Sequence, residues 1–177
     1  MSKMLPPNTG IWYVDTLALT TPTAPKLSEI TTALAAIVSP RMVNISAAIG
    51  AGYKLGALKS DVIKSKGIVD TGNYDARGAG NYDCSLPLFQ EALPAVNTTS
   101  DYLVATGLLA QKNIFCTMMK RLGKPYTSPL VIGDVVSLFS IVTDNPVILE
   151  GNVGDPVTLT IVGGKQGFIA QNVVIVA

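Results

Sequence analysis

From Met42 to the C-terminus, short runs of β-branched and apolar residues alternate with clusters of Gly, Pro, Asn and Asp. Runs of this kind are typical of β-strands, and the clusters between them are typical of turns. The predicted strands span 43–49, 53–58, 62–69, 84–89, 114–119, 134–143, 157–162 and 168–176. We therefore expect a mainly β fold, built as a two-sheet antiparallel β-sandwich or barrel.

The run from Val131 to Val142 is apolar on both of its faces. A strand with one solvated face alternates apolar and polar residues, as 157–162 does, whereas a strand apolar on both faces is buried on both sides. We expect a neighbouring layer of the fold, or another subunit, to cover its second face.

Two segments carry helical patterns. In 27–38 apolar residues recur at helical spacing, Ser28 is a candidate N-cap, and Pro40 is predicted to end the helix. The segment 101–110 is the stronger prediction, because hydroxyl residues precede it and Asp101 places an acid in its first turn. We expect one helix to pack on the sheets.

A chain of 177 residues is expected to form a single domain, residues 1–177. Residues 1–41 are expected to form an N-terminal arm with the short helical segment, because the four prolines of the opening stretch, at positions 6, 7, 22 and 25, favour extended backbone. Within this arm, 11–14 is a candidate strand. Residues 50–83 are expected to form a projecting hairpin and loop, which contains the sequence Gly-Asn-Tyr-Asp twice.

Composition indicates a chain that keeps apolar surface after folding. Hydrophobic residues make up 48% and charged residues 14%, against roughly 25% charged residues in an average soluble domain. No apolar run approaches the ~18 residues of a membrane span, and the first ten residues lack the pattern of a secretory signal. Excess apolar surface without a membrane span favours self-association.

The residues that most enzymes and metal sites need are missing. The chain has no histidine, which removes Ser-His-Asp catalysis and the commonest transition-metal ligand. Cys84 and Cys116 stand alone and are expected to be buried, small apolar residues. Neither a metal nor a cofactor is predicted. Carboxylates could form a hydrolytic pair, but the candidates have the neighbours of turn residues; they are Asp134, Asp144, Glu150 and Asp155.

Charge is balanced overall but divided along the chain. The formal net charge is +1, which gives no case for a protein that grips nucleic-acid phosphates. Between Arg41 and Lys66 there are five bases and one acid, whereas Pro125 to Gly164 holds four acids and no base. Either each set is a solvated face, or the basic hairpin docks on an acidic surface of the next copy.

The order of segments along the chain resembles that of a known protein family. The stretch "GYKLGALKSDVIKSKGIVDTGNYDARGAGNYDCSLPLF", the helix, "NIFCTMMKRLG", "GDVVSLFSIVTDNPVILEG" and "GKQGFIAQNVVIVA" follow one another as in the major tail tube protein of long-tailed bacteriophages, particularly those of actinobacterial hosts. The resemblance covers residues 42–177 and consists of strand and loop patterns. It implies a fold similar to the type VI secretion tube protein, with a long loop that reaches neighbouring subunits.

The resemblance also implies a function and partners. Members of that family form hexameric rings that stack into a hollow tube, through which viral DNA passes into the host. The chain would then be a structural virion protein and not an enzyme, assembled in the bacterial cytoplasm without membrane insertion. Its partners would be itself, the tape measure protein, and the tail terminator and baseplate proteins.

The basic stretch and the tyrosine-bearing loop are predicted to contact neighbouring subunits. Tyrosines provide contact area at low cost in side-chain entropy, and lysines provide the charge. The predicted interface residues are Lys54, Lys59, Lys64, Lys66, Tyr74, Arg77 and Tyr82.

Two other functions are open to this sequence. A carbohydrate-binding β-sandwich would stack Trp12, Tyr74 or Tyr82 on a sugar, although aromatic residues make up only 6% of the chain. A hydrolase would rely on a pair of the four carboxylates named above.

Overall fold

The computed structural model describes residues 8–39, 41–57, 62–65, 74–77, 82–90, 99–149 and 158–177. Its elements, in chain order, are β1 (Thr9–Asp15), α1 (Leu27–Ala35), β2 (Met42–Asn44), a 3-10 helix (Ser46–Ala48), β3 (Lys54–Ala57), β4 (Val62–Ser65), β5 (Tyr74–Arg77), β6 (Tyr82–Phe89), α2 (Asp101–Leu109), β7 (Phe115–Leu122), β8 (Val135–Thr143), β9 (Val147–Leu149) and β10 (Thr158–Val174).

The strands pair into antiparallel sheets, as the sequence predicts. The central sheet has the order β2-β1-β7-β8-β10, and a second sheet has the order β9-β10-β6-β3. β10 belongs to both sheets, and β4 pairs with β5 in a separate two-stranded sheet. The prediction of a mainly β, two-sheet antiparallel fold is confirmed.

β10 corrects one prediction of the sequence analysis. The segment Gly-Gly-Lys-Gln-Gly was expected to be a turn between two strands, but one strand runs from Thr158 to Val174. Its first half pairs with β6 and β9, and its second half pairs with β8, with a register shift between Lys165 and Ile169. Glycines inside a strand permit bulges and bends, so here they let one strand pass from one sheet to the other.

One face of the central sheet packs on β6 and α2. Successive residues of a strand point to opposite faces, so alternate residues of β1, β7 and β8 meet the second layer. The buried side chains of this inner core include Ile11, Tyr13, Cys116, Met118, Phe139 and Ile141 from the central sheet, with Cys84, Leu86, Leu88, Ala105 and Leu109 opposite. Both cysteines are buried here, as predicted, and burial raises the pKa of the Cys116 thiol to about 12.

The other face of the central sheet packs on α1 and on the last residues of the chain. This outer core includes Trp12, Val14, Met119, Val136, Leu138, Ile30, Ala33 and Ile175. β8 is therefore buried on both sides, as its sequence predicts. The layers that cover it belong to the same chain.

The N-terminal segment differs from its prediction. The candidate strand is present as β1, but it lies between β2 and β7 inside the central sheet instead of in an extended arm. All seven of its residues pair with β7. The prolines that suggested an arm lie before and after this strand.

α1 is shorter than predicted and is capped differently. It begins after Lys26 without a side-chain cap, so the expected Ser28 cap is wrong; the Ser28 carbonyl instead accepts hydrogen bonds from Thr31 and Thr32. The helix ends at Ala35, and Ile37 is then 87% exposed. Because Ile37 is exposed, its burial does not stabilise the extra turn that the periodicity suggested.

α2 matches its prediction closely. Ser100 is the N-cap, and its hydroxyl accepts a hydrogen bond from the Leu103 amide at 3.2 Å. Asp101 lies in the first turn, where a negative charge stabilises the helix. Ala105 and Leu109 are buried in the inner core, as expected, whereas Val104 stays partly exposed.

Candidate functional site

Two of the predicted interface residues lie on β3, the edge strand of the second sheet, and on its neighbour β6. Lys54 begins β3 and is exposed, and Tyr82 begins β6. The two strands run antiparallel, so these residues lie at opposite ends of the short ladder between them.

The other predicted interface residues lie on the two-stranded sheet of β4 and β5 or outside the described residues. Lys64 lies on β4, and Tyr74 and Arg77 lie on β5, with Lys64 one register position from Tyr74. Lys59 and Lys66 lie outside the described residues. The register places Lys64 opposite Asp75 and Ser65 opposite Tyr74, so Lys64 and Tyr74 lie on opposite faces of this small sheet, and their role in assembly stays a prediction.

The candidate carboxylate pair for hydrolysis does not form among the residues described. Asp134 precedes β8 and Asp144 follows it, so nine strand residues separate them by about 30 Å. Glu150 and Asp155 lie outside the described residues. Among the described residues, no group of three His, Cys, Asp or Glu side chains could hold a metal ion.

Trp12 does not offer a sugar-binding surface. It is 3% exposed in the outer core, and the Arg121 guanidinium lies 5.2 Å from the centre of its ring. A ring that is buried and already stacked on a cation has no free face for a ligand. The carbohydrate-binding alternative loses this residue.

The loop between β7 and β8 is built around the buried Arg121. Its guanidinium donates to the carbonyls of Pro125, Ser128 and Pro129 at 2.8–2.9 Å and to the Asp134 carboxylate at 3.0 Å. A planar cation with several donors suits this arrangement, because each buried carbonyl needs a partner. The loop is therefore held in one conformation from inside.

Asp134 completes this network and is not the exposed turn acid that its neighbours suggested. Its carboxylate accepts hydrogen bonds from Lys124, Arg121 and the Val131 amide. Burial alone would raise the pKa of Asp134, but these hydrogen bonds from Lys124 and Arg121 hold it below its usual value. Gly133 precedes it at φ +89°, a conformation that favours glycine.

This loop lies at one end of the central sheet, which we call the Lys120 end. Here β7 and β10 finish and β8 begins, and three apolar side chains lie side by side across the strands. Val174 pairs with Val135, and Leu122 is one position beyond the Arg121–Val136 pair, beside Val135. About half of each of these three side chains is exposed.

A groove of about 450 Å³ opens beside this apolar row. Its walls come from β3, β7, β8 and β10 and include Leu55, Lys120, Leu122, Val135, Ser137 and Asn172. The Lys120 amine lies 3.4 Å from the Leu55 carbonyl and 5.5 Å from the centre of the Tyr53 ring. Burial lowers the pKa of the Lys120 amine, and no carboxylate of the described residues lies within 4 Å of it.

The opposite end of the central sheet, which we call the Asp144 end, also exposes apolar side chains. Here β1 and β8 finish and β7 begins. Leu17 follows β1, Ile37 and Val38 precede β2, and Phe115 begins β7; all four are more than half exposed.

Hydrogen bonds fix the loops at the Asp144 end. Asp15 accepts from the Tyr13 hydroxyl and the Arg41 amide, and these bonds outweigh burial and lower the pKa of Asp15. The buried Thr143 hydroxyl donates to the Gln111 carbonyl at 2.5 Å and accepts from the Ile114 amide at 2.9 Å.

Asp144 follows Thr143 directly and is exposed; its carboxylate lies 3.7 Å from the amine of the exposed Lys112. A firmly held loop thus presents this carboxylate to solvent.

The sheets also leave strand edges open within the described residues. β2, β3 and β9 each pair with one strand only. β9 exposes about half or more of both Val147 and Ile148. A short apolar edge strand of this kind can pair with another chain.

Lys120 and Arg121 at the Lys120 end were not among the predicted site residues. Lys120 and Arg121 interrupt an apolar strand pattern in β7, and this break was the available signal. Asp134 was misread because a glycine and a β-strand flank it in the manner of a turn acid. No sequence pattern shows that its partners are Arg121 and Lys124.

No helix in the described parts of the chain is long and apolar enough to cross a membrane. A search of curated proteins finds no significant match to the chain. A sequence model of the family described as "Phage tail tube protein" matches residues 5–177.

Proposed function

The chain belongs to the phage tail tube protein family, and on this basis we propose that it forms hexameric rings that stack into the tail tube of a long-tailed phage. A tail tube protein is a structural component of the virion tail, so assembly with copies of itself is the activity that the geometry must support. We include in this proposal the actinobacterial host that the sequence resemblance implies.

One observation carries the proposal: both ends of the central sheet expose apolar side chains, and the two ends differ. Leu122, Val135 and Val174 lie at the Lys120 end, and Leu17 and Phe115 lie at the Asp144 end. Two different surfaces at opposite ends favour a head-to-tail contact, which repeats from copy to copy. Covering them removes apolar area from water, at about 25 cal/mol for each Å².

Ring closure needs a second pair of surfaces at the sides of the molecule. The open edges of β2, β3 and β9 supply backbone donors and acceptors for such contacts. We propose that strand edges of neighbouring copies join around the ring. The predicted contacts of Lys54, Lys64, Tyr74 and the other residues of 50–83 belong to these lateral or axial contacts.

A conduit for DNA must let the polyanion slide. Strong phosphate clamps would hold it, because each neutralised phosphate adds to binding through counterion release. The net charge of +1 suits a lumen without such clamps. The tape measure, terminator and baseplate proteins are the proposed partners at the lumen and at the two ends of the tube, and assembly would take place in the host cytoplasm.

Electron microscopy and sedimentation velocity of the purified protein test this proposal. We expect six-fold rings or tubes that become more abundant with protein concentration. Monomers alone at high concentration, with and without the other tail components, would count against it.

A charge-reversal variant tests the basic hairpin separately. Lys59→Glu, Lys64→Glu and Lys66→Glu together are expected to weaken assembly while the circular dichroism spectrum is preserved. Unchanged tube formation would reject the contact through this basic segment and leave the ring proposal standing.

A further inference from the structure

We propose that Asp144 of one copy enters the groove beside Lys120 of the next copy and forms a charged contact that sets the alignment of stacked copies. This inference rests on the proposed function, because it needs head-to-tail stacking. It goes further by naming the two side chains that meet.

The first support is that no carboxylate of the described residues neutralises Lys120. Its amine is half-buried against one carbonyl and one aromatic ring, and no described carboxylate lies within salt-bridge distance. A cation that loses water without gaining an anion is unfavourable. A carboxylate from outside would remove this cost, and the groove leaves the amine within its reach.

The second support is the shape and chemistry of the groove. A volume of about 450 Å³ exceeds that of a few water molecules, each about 30 Å³ in the liquid, so the groove has room for a side chain on a loop. Its walls are apolar at Leu55, Leu122 and Val135 and polar at Ser137 and Asn172. The occupant that fits is a carboxylate carried on a loop with apolar neighbours.

The third support is that the Asp144 end of the same chain presents this occupant. Asp144 extends from the end of β8 opposite to the groove, on a loop that Thr143 holds in place. Its Oδ1 atom accepts a hydrogen bond from the Asn145 amide at 2.8 Å and lies 3.7 Å from the exposed Lys112, an exposed ion pair of little energy that Asp144 can exchange. Phe115 lies close by in the sheet order and supplies the apolar neighbour.

Head-to-tail stacking brings Asp144 of one copy to Lys120 of the next. A copy translated along the strands of the central sheet places its Asp144 end against the Lys120 end of its neighbour. The contact joins a cation and an anion that each copy carries once at opposite ends, so it repeats without change along a stack. Opposite charges at a desolvated contact also disfavour a reversed orientation, which would place like charges together.

Charge reversal tests the pairing. Lys120→Glu and Asp144→Lys are each expected to raise the protein concentration needed for assembly by about tenfold or more, because each leaves like charges facing across the contact. The double variant Lys120→Glu with Asp144→Lys restores the opposite charges and is expected to assemble at a concentration close to that of the unaltered protein. Light scattering and electron microscopy measure the threshold.

A second double variant controls for charge alone. Lys120→Glu with Asp101→Lys has the same formal charge as the first double variant, but Asp101 is an exposed first-turn acid of α2. It is expected to stay as defective as Lys120→Glu. Lys120→Met, which keeps the aliphatic stem, controls for packing in the groove and is expected to assemble poorly with an unchanged far-ultraviolet spectrum.

The outcomes separate this inference from the proposed function. If the unaltered protein forms no rings or tubes, the proposed function fails. If it assembles, normal assembly of either single reversal overturns the pairing. Failure of the double reversal to recover, or equal recovery by the Asp101 control, also overturns it.

Discussion

Replacing Arg121 by methionine tests the idea that one buried cation holds the β7–β8 loop. Methionine retains apolar bulk beside Trp12 but removes every hydrogen bond of the guanidinium. Four acceptors then lose a donor: the carbonyls of Pro125, Ser128 and Pro129 and the Asp134 carboxylate. Asp134 keeps Lys124 and the Val131 amide as partners, so its charge is only partly compensated.

The expected loss in the free energy of unfolding is about 3–5 kcal/mol, the usual cost of breaking a buried ion pair by removing one partner. This is a large part of the roughly 5–15 kcal/mol that stabilises a typical domain. With a urea dependence of about 2 kcal/mol per molar, the midpoint of unfolding falls by about 2 M. The double variant Arg121→Met with Asp134→Asn should lose less stability than the sum of the losses of the two single variants, because both changes break the same contact.

Urea unfolding followed by circular dichroism measures these losses, and fluorescence of Trp12, the one tryptophan of the chain, reports the same site. Lys112→Met is the matched control, because it removes an exposed ion pair and should cost less than about 1 kcal/mol. A loss below about 1 kcal/mol for Arg121→Met, or full additivity with Asp134→Asn, would refute the central role of this network.

Three further changes follow from the structure. Ser100→Ala removes the hydroxyl that accepts from the Leu103 amide, and urea unfolding should show a loss of about 1 kcal/mol, whereas Ser100→Asp should retain most of the stability. Gly10→Ala should lower the thermal midpoint, with a cost of about 1–3 kcal/mol, because its Cβ would overlap the Trp12 ring. Asp134 should make the free energy of unfolding depend on pH. Its pKa in the folded protein is lower than its pKa of about 3.9 in the unfolded chain, so the stability that its charge contributes is present above the unfolded pKa and is lost as the pH falls through the folded pKa. Unfolding measured from pH 6 to pH 2 should show a weaker acid dependence for Asp134→Asn.

The layers of the fold could be predicted because alternation along a strand is a local property. Cys84, Leu86 and Leu88 lie on one face of β6 and Ser85 and Pro87 on the other, and β8 is apolar on both faces; burial follows both patterns. The Ser100 cap could be predicted for the same reason, since a cap depends on residues within one turn. These features need no knowledge of distant contacts.

The path of the chain could not be predicted in the same way. Glycines in β10 signal either a turn or a bend, and only the pairing of its halves with β6 and β8 decides between them. β1 looked like part of an arm because prolines surround it, and its place in the sheet depends on Met118 and Met119 about a hundred residues later. Long-range pairing of this kind leaves no local trace in a single sequence.

The division of charge along the chain shows where counting residues misleads. Four acids between 125 and 164 suggested an acidic surface for docking, yet Asp134 lies inside the fold and its charge is satisfied by Arg121 and Lys124. Asp144 is the exposed acid in the described part of that segment. Lys120, at the opposite end of the sheet, has no carboxylate of the described residues within salt-bridge distance. In the proposed pairing, complementarity between copies depends on where single charges lie at the two ends of the sheet, and moving one charge should alter assembly more than changing the net charge elsewhere.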